Sequence, residues 1–134
     1  MVNEEITAKI LAACFEVTNE LGAGFLESVY QNALMLVLQE KGLTAQREYP
    51  LAVTFRTQNI GQFYADILVE NKIILELKAV SALTEIHKAQ LINYLKATGL
   101  ETGLLINFGN PKLEYRRFDN RFIKKISPLS PSSL

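Results

Sequence analysis

Apolar residues recur at helical spacing from the start of the chain, with Ile6, Ile10, Ala13 and Cys14, Val17 and Leu21 on one face. Asn3 before Glu4 and Glu5 predicts the helix start, a capping side chain followed by acids in the first turn. "GAG" at 22–24 ends it. A second helix is expected from about Leu26 to Lys41, with Tyr30, Leu34 and Leu38 on its stripe and Gly42 as its stop. From Glu48 the period changes to two: Tyr49, Leu51, Val53 and Phe55 alternate with smaller or polar residues, and Pro50 marks an edge strand. "RTQNIGQ" reads as a turn, after which strands over about 62–69 and 73–80 flank Glu70, Asn71 and Lys72. Ser81 and Thr84 offer caps for a third helix, with a stripe of Leu83, His87, Gln90, Leu91 and Tyr94, ending before Gly99. "GLLINFG" suits a strand buried on both faces, and 113–118 alternates as a last strand.

Two helices, three strands, a helix and two strands predict an α/β or α+β domain with one mixed sheet, and no internal repeat is visible. The length of 134 residues suits a single domain, expected over 1–126, with "SPLSPSSL" at 127–134 as a flexible tail.

The hairpin "YADILVENKIILELKA" is apolar except for its turn and three charged residues, Asp66, Glu76 and Lys78. Register decides whether they meet. A three-residue loop sets Val69 opposite Ile73, Leu68 opposite Ile74, Asp66 opposite Glu76 and Tyr64 opposite Lys78. Phe63, Ala65, Ile67, Val69, Ile73, Leu75, Leu77 and Ala79 then share the other face, whereas a two-residue loop would scatter that apolar set. Two opposed carboxylates beside Leu68 and Ile74 repel each other and lose solvation, which a Mg²⁺ or Mn²⁺ ion would offset. Asp66, Glu76 and the Leu77 carbonyl are the candidate ligands, and Lys78 is placed to orient a water or to stabilise charge on a phosphate. The bare pattern of an Asp before Glu-x-Lys arises by chance in roughly one chain in four, so a strand-face ion pair is the competing reading. Gln90, Tyr94 and His87 share a helix face, where buried amides and phenols are common and a lone histidine is more often structural than catalytic. Glu27 suits the helix dipole with no further role, yet it shares a face with Tyr30 and Leu34 and so is expected to point inward.

Fourteen basic and fourteen acidic residues leave no net charge, against a protein that coats nucleic acid through bulk electrostatics. The distribution is uneven: residues 1–31 are acidic, while 112–125 hold Lys112, Arg116, Arg117, Arg121, Lys124 and Lys125. Tyr115, Phe118 and Phe122 interleave them, as a nucleic-acid surface requires, although a solvated edge strand is the plainer reading. No apolar run is long enough for a membrane span and no secretory signal opens the chain, so a cytoplasmic location is expected. The lone cysteine, Cys14, falls on an apolar stripe and is expected to have no chemistry.

"GAGFLESVY", with Gly24, Glu27 and Tyr30, together with "ADILVENKIILELKA" and "HKAQLINYLKATG", resembles the bacterial GxxExxY proteins of the PD-(D/E)XK nuclease-like superfamily. The resemblance spans about residues 3–118 and implies a restriction-endonuclease-like core of helix, three-strand meander, helix and strand, with the active site on the meander. It implies Asp66 and Glu76 as metal ligands, Lys78 as the catalytic lysine, Glu27 as a helix acid near the site, and Gln90 with Tyr94 as a Q-x-x-x-Y pair. Ala65 replaces the motif proline before Asp66. The implied activity is a Mg²⁺- or Mn²⁺-dependent nuclease acting on nucleic acid, DNA ahead of RNA, with Tyr94, His87, Tyr30, Lys112, Arg116 and Arg117 as candidate contacts. So small and neutral a chain would need a second copy or a protein partner to cut at specific sequences. A nucleic-acid-binding or protein-interaction module that retains the fold without cleavage is the alternative.

Overall fold

The computed structural model describes residues 3–120; the expected tail, and Arg121, Lys124 and Lys125, lie outside them. The elements are α1 (Glu4–Leu21), α2 (Glu27–Glu40), β1 (Ala45–Phe55), β2 (Gln58–Val69), β3 (Ile73–Lys78), α3 (Glu85–Thr98), β4 (Thr102–Asn107) and β5 (Glu114–Asp119). One sheet runs β1-β2-β3-β4-β5, antiparallel except where α3 crosses over to make β3 and β4 parallel. This is the mixed α+β sheet the sequence predicts, with the Pro50 strand at an edge and β4 buried along its whole length.

The helices cover the sheet unequally. Ile10, Cys14, Val17, Leu34 and Leu38 of α1 and α2 pack on Ile67, Val69, Ile73, Leu75, Leu77, Leu104 and Ile106. On the opposite face α3 buries only Leu91 and Leu95, against Ala65, Leu68, Ile74 and Leu105. Burial pushes the Cys14 thiol up, which keeps it protonated and inert.

Three local expectations are corrected. Asn3 starts α1 as expected but its side chain does not cap it: its backbone is left-handed (φ 59°), and its amide donates instead to Thr102 Oγ1 at 3.1 Å, tying the helix start to β4. "RTQNIGQ" is not all turn, because Arg56 and Thr57 both take positive φ and close a two-residue hairpin. β2 therefore starts at Gln58, and 58–62 form an exposed ribbon paired to β1. Third, the faces exchange partway along that hairpin. Ala45, Ile67 and Val69 join the cluster beneath α1 and α2, whereas Tyr49, Leu51 and Ala65 join the α3 cluster. Phe63 also faces α3, its ring stacked on Tyr94 at 3.6 Å between centroids. The switch falls at Glu48 and Asp66, which are left unpaired between Arg47↔Ile67 and Tyr49↔Ala65, while a separate register shift lies farther out at Val53 and Thr54. It coincides with the backbone of Glu48, whose φ of 53° in mid-strand turns the chain out of the pleat.

Tyr30 lies on the buried stripe of α2 as expected, but too deep for the nucleic-acid contact also expected of it. It is fully buried, stacked on Phe108 at 4.8 Å, and so is removed from any nucleic-acid surface. Its hydroxyl donates to the Gly22 carbonyl at 2.6 Å and accepts from the Phe25 N–H at 3.2 Å, closing the α1–α2 turn in which Gly24 sits at φ 112°. Tyr30→Phe should lower stability by about 1–3 kcal/mol through two unpaired main-chain groups, measurable as a reduced urea midpoint at unchanged m-value.

Candidate functional site

β3 pairs with β2 through Ile67↔Leu75, Leu68↔Ile74 and Val69↔Ile73, the register the apolar alternation predicts, around Glu70 and Asn71 in left-handed conformation. The ladder stops at Ile67 and Leu75, so the expected pairings of Asp66 with Glu76 and of Tyr64 with Lys78 are not formed. Beyond it the strands part, and Asp66 fills the gap with its side chain: the Leu77 N–H donates to Asp66 Oδ2 at 2.7 Å. The Lys78 carbonyl accepts from the Phe108 N–H at 2.8 Å on the β4 side. Main-chain groups alternate sides along a strand, so the Leu77 carbonyl turns the other way, toward Asp66.

Glu76 pairs with Leu105 in the parallel register and shares its face, the one covered by α3. It is 6 % exposed, and its Oε1 has no hydrogen-bond partner. Burial, with the charge of Asp66 next, pushes its carboxyl up to about 8, against the pull of Lys78. Asp66 is also raised, by burial first and then by Glu27 and Glu48, while the Leu77 N–H and Lys78 oppose the shift. Lys78 is half-buried and held at the end of β3 by the fully buried Asn107, whose side chain accepts from Val80 N at 3.0 Å and donates to Val80 O at 2.9 Å.

A cleft of about 310 Å³ opens beside Asp66 and Leu77, lined also by Glu27, Ser28, Gln31, Arg47 and Glu48. Glu27 is the first residue of α2, exposed but aimed at this cleft, and its charge acts on both Asp66 and Glu76. Gln31, one turn on and nearly buried, donates to the Asp66 carbonyl at 2.8 Å and to Glu48 Oε2 at 3.4 Å. Gln31, Arg47 and Glu48 escape the sequence reading, where Glu48 registers only as the start of a strand. Pairing β1 with β2 would have found it, since Ala45 opposite Val69 carries residue 48 to residue 66.

The other expected residues divide. Gln90 is exposed rather than packed, and its amide donates to Tyr94 Oη at 2.8 Å. Burial, then the charge of Glu76, raises the Tyr94 phenol, so this pair borders the acids. His87 belongs to α3's own start: its Nδ1 accepts from Thr84 N at 3.1 Å while Thr84 Oγ1 accepts from His87 N at 3.3 Å. Arg116 and Arg117 lie on opposite faces of β5. Arg117 is tied to Asp119 at 3.2 Å and Glu4 at 3.5 Å, whereas Arg116 follows Leu105 in the row that starts at Glu76, with Lys112 beside the same open hollow.

Among the described residues no three Asp, Glu, His or Cys side chains converge as a ready-made metal cluster. The donor set nonetheless suits a hard divalent cation: two carboxylates and a main-chain carbonyl, with one buried oxygen unsatisfied. The family model of the PD-(D/E)XK nuclease superfamily matches residues 4–118. The chain belongs to the PD-(D/E)XK nuclease superfamily. Nucleases of this superfamily generally use divalent metals and act on nucleic acid. Among solved structures, that of SSO0001 is similar with a TM-score of 0.55 at 20% sequence identity, covering 79% of this chain. This chain spans 60% of SSO0001, a likeness of fold. No curated protein matches significantly. Among the described residues of this superfamily member, no helix is long and apolar enough to cross a membrane.

Proposed function

We propose that this chain is a Mg²⁺- or Mn²⁺-dependent nuclease of the GxxExxY branch that hydrolyses phosphodiester bonds, with DNA preferred over RNA. The observation that carries the reading is the buried, unpartnered Glu76 Oε1 set against a second raised carboxyl, a charge arrangement that asks for a cation. Asp66, Glu76 and the Leu77 carbonyl would hold the ion, and Glu27 would lie just outside them. A divalent ion bound there supplies Lewis acidity toward a phosphate oxygen and the attacking water.

Lys78 acts from the same strand end. Its ammonium donates to the water or to the non-bridging phosphate oxygen where negative charge grows. Gln90 and Tyr94 flank the acids as hydrogen-bonding groups for the substrate backbone, and the Phe63–Tyr94 stack is a face on which a base can rest. Arg116 lies two strands from Glu76, about 10 Å along the sheet, suited to a neighbouring phosphate. The GxxExxY assignment rests on distinct jobs for its three residues: Gly24 makes the turn, Glu27 reaches the cleft and Tyr30 locks the helix between them.

The test is incubation of the purified chain with supercoiled plasmid, linear duplex, single-stranded DNA and RNA in Mn²⁺. Cleavage of at least one substrate, stopped by a chelator and restored by excess Mn²⁺, is expected. No cleavage of any, or cleavage indifferent to chelation, overturns the reading.

A further inference from the structure

The ladder between β1 and β2 lapses at Asp66, where Glu48 opposite it is twisted to φ 53°. A main-chain group released from a ladder needs another partner. The Asp66 carbonyl takes one from outside the sheet, the Gln31 side chain of α2 at 2.8 Å. The same Nε2 reaches Glu48 Oε2 at 3.4 Å, so one amide spans both residues that break the ladder. Gln31 is 8 % exposed, so these bonds face little competition from water.

We propose that Gln31 is a positioning residue: it locks the Asp66 main chain to α2 and so sets Asp66 Oδ2 on the Leu77 N–H and toward the metal-binding edge. The clause on metal rests on the nuclease reading above; the clause on Asp66 does not. Gln31 lies four residues after Glu27, on the same face of α2. The bond therefore also fixes the distance between the helix acid and the strand acid, through a rigid turn of helix. Glu48 serves as the far anchor. Its unusual backbone opens the ladder, and its carboxylate holds the Gln31 amide in the rotamer that reaches Asp66.

Gln31→Met keeps length and burial but removes both donors. Amide hydrogen exchange by NMR on the metal-free chain reads the first clause. The Leu77 N–H should exchange about five- to tenfold faster in the variant, since its acceptor Asp66 Oδ2 is no longer held, while Leu75 and Ile106 keep their protection. Calorimetric titration with Mn²⁺ reads the second, where the variant should bind about tenfold more weakly. Glu48→Ala should reproduce part of both effects, and adding it to Gln31→Met should add little, because the two act through one contact. Unchanged Leu77 exchange in folded Gln31→Met overturns the positioning role. Altered exchange with unaltered Mn²⁺ affinity confines Gln31 to the strand and overturns the metal clause. If the parent chain itself neither binds Mn²⁺ nor cleaves, the nuclease reading falls, and the exchange result still decides what Gln31 does.

Discussion

Lys78→Ala should lower Mn²⁺-supported cleavage by about 10²-fold or more in kcat, with a much smaller change in KM. The asymmetry follows from when the ammonium acts. On the nuclease reading, the charge that Lys78 balances develops only as the phosphorus–oxygen bonds change, so its loss falls on the chemical step more than on substrate binding. The lysine is also well fixed for such a role, because β3 is pinned past its end by the Asn107 contacts to Val80 and by the Phe108 N–H. Removing the ammonium also takes away the cation that opposes the upward shift of both acids, so the cleavage optimum should move to higher pH. Lys78→Arg should recover only part of the rate, since a planar fork does not occupy the place of a compact ammonium. Equal kcat in Lys78→Ala and parent, over a full pH profile, would remove Lys78 from the chemistry.

Metal-free protein should lose stability as pH rises from about 5 to about 8. Glu76 holds its proton up to about 8 in the folded chain against an ordinary value of 4.5. The folded state therefore binds that proton more tightly than the unfolded state does. The stabilisation is complete below the lower value and disappears as pH climbs through the upper one. At about 1.4 kcal/mol per pH unit the loss has a ceiling on the order of 5 kcal/mol. The raised Asp66 adds to it in the same direction. Urea midpoints at pH 5 and pH 8.5 measure the slope, and Glu76→Gln, neutral throughout, should be markedly flatter and the more stable of the two at the alkaline end. Mn²⁺ should reverse the trend in the parent, stabilising it more at pH 8 than at pH 5, where protons compete for the same oxygens. A parent and a Glu76→Gln chain with parallel pH dependence would show that Glu76 is solvated and ordinary, and with that the main support for a cation would go.

Much of the fold is legible because it is periodic. The 3.6-residue stripes of α1 and α2 and the largely apolar β4 admit few alternatives, and Pro50 could lie only where no partner needs its missing N–H. The β2–β3 register is legible for a further reason: Ile67, Val69, Ile73 and Leu75 share a buried face only if Val69 meets Ile73. That register brings Asp66 and Glu76 to one strand end with Lys78 close by. Tyr30 misleads for the opposite reason, since an aromatic on a helix stripe looks the same whether its hydroxyl meets solvent or a turn carbonyl.

What alternation along the chain determines, then, is which strands pair, in which register, and that two acids and a lysine gather where β2 and β3 end their ladder. Only the tertiary structure decides the rest of the site. A left-handed Glu48 breaks the period-two rule on which the strand reading depends, so from that residue outward the hairpin's faces are reversed. Gln31 belongs to a helix 35 residues away, and its bond to the Asp66 carbonyl follows from how α2 lies on the sheet, which no local pattern encodes. Burial completes the difference: the sequence supplies the carboxylates, but the packing of α3 and β4 around Glu76 is what takes water from one of its oxygens.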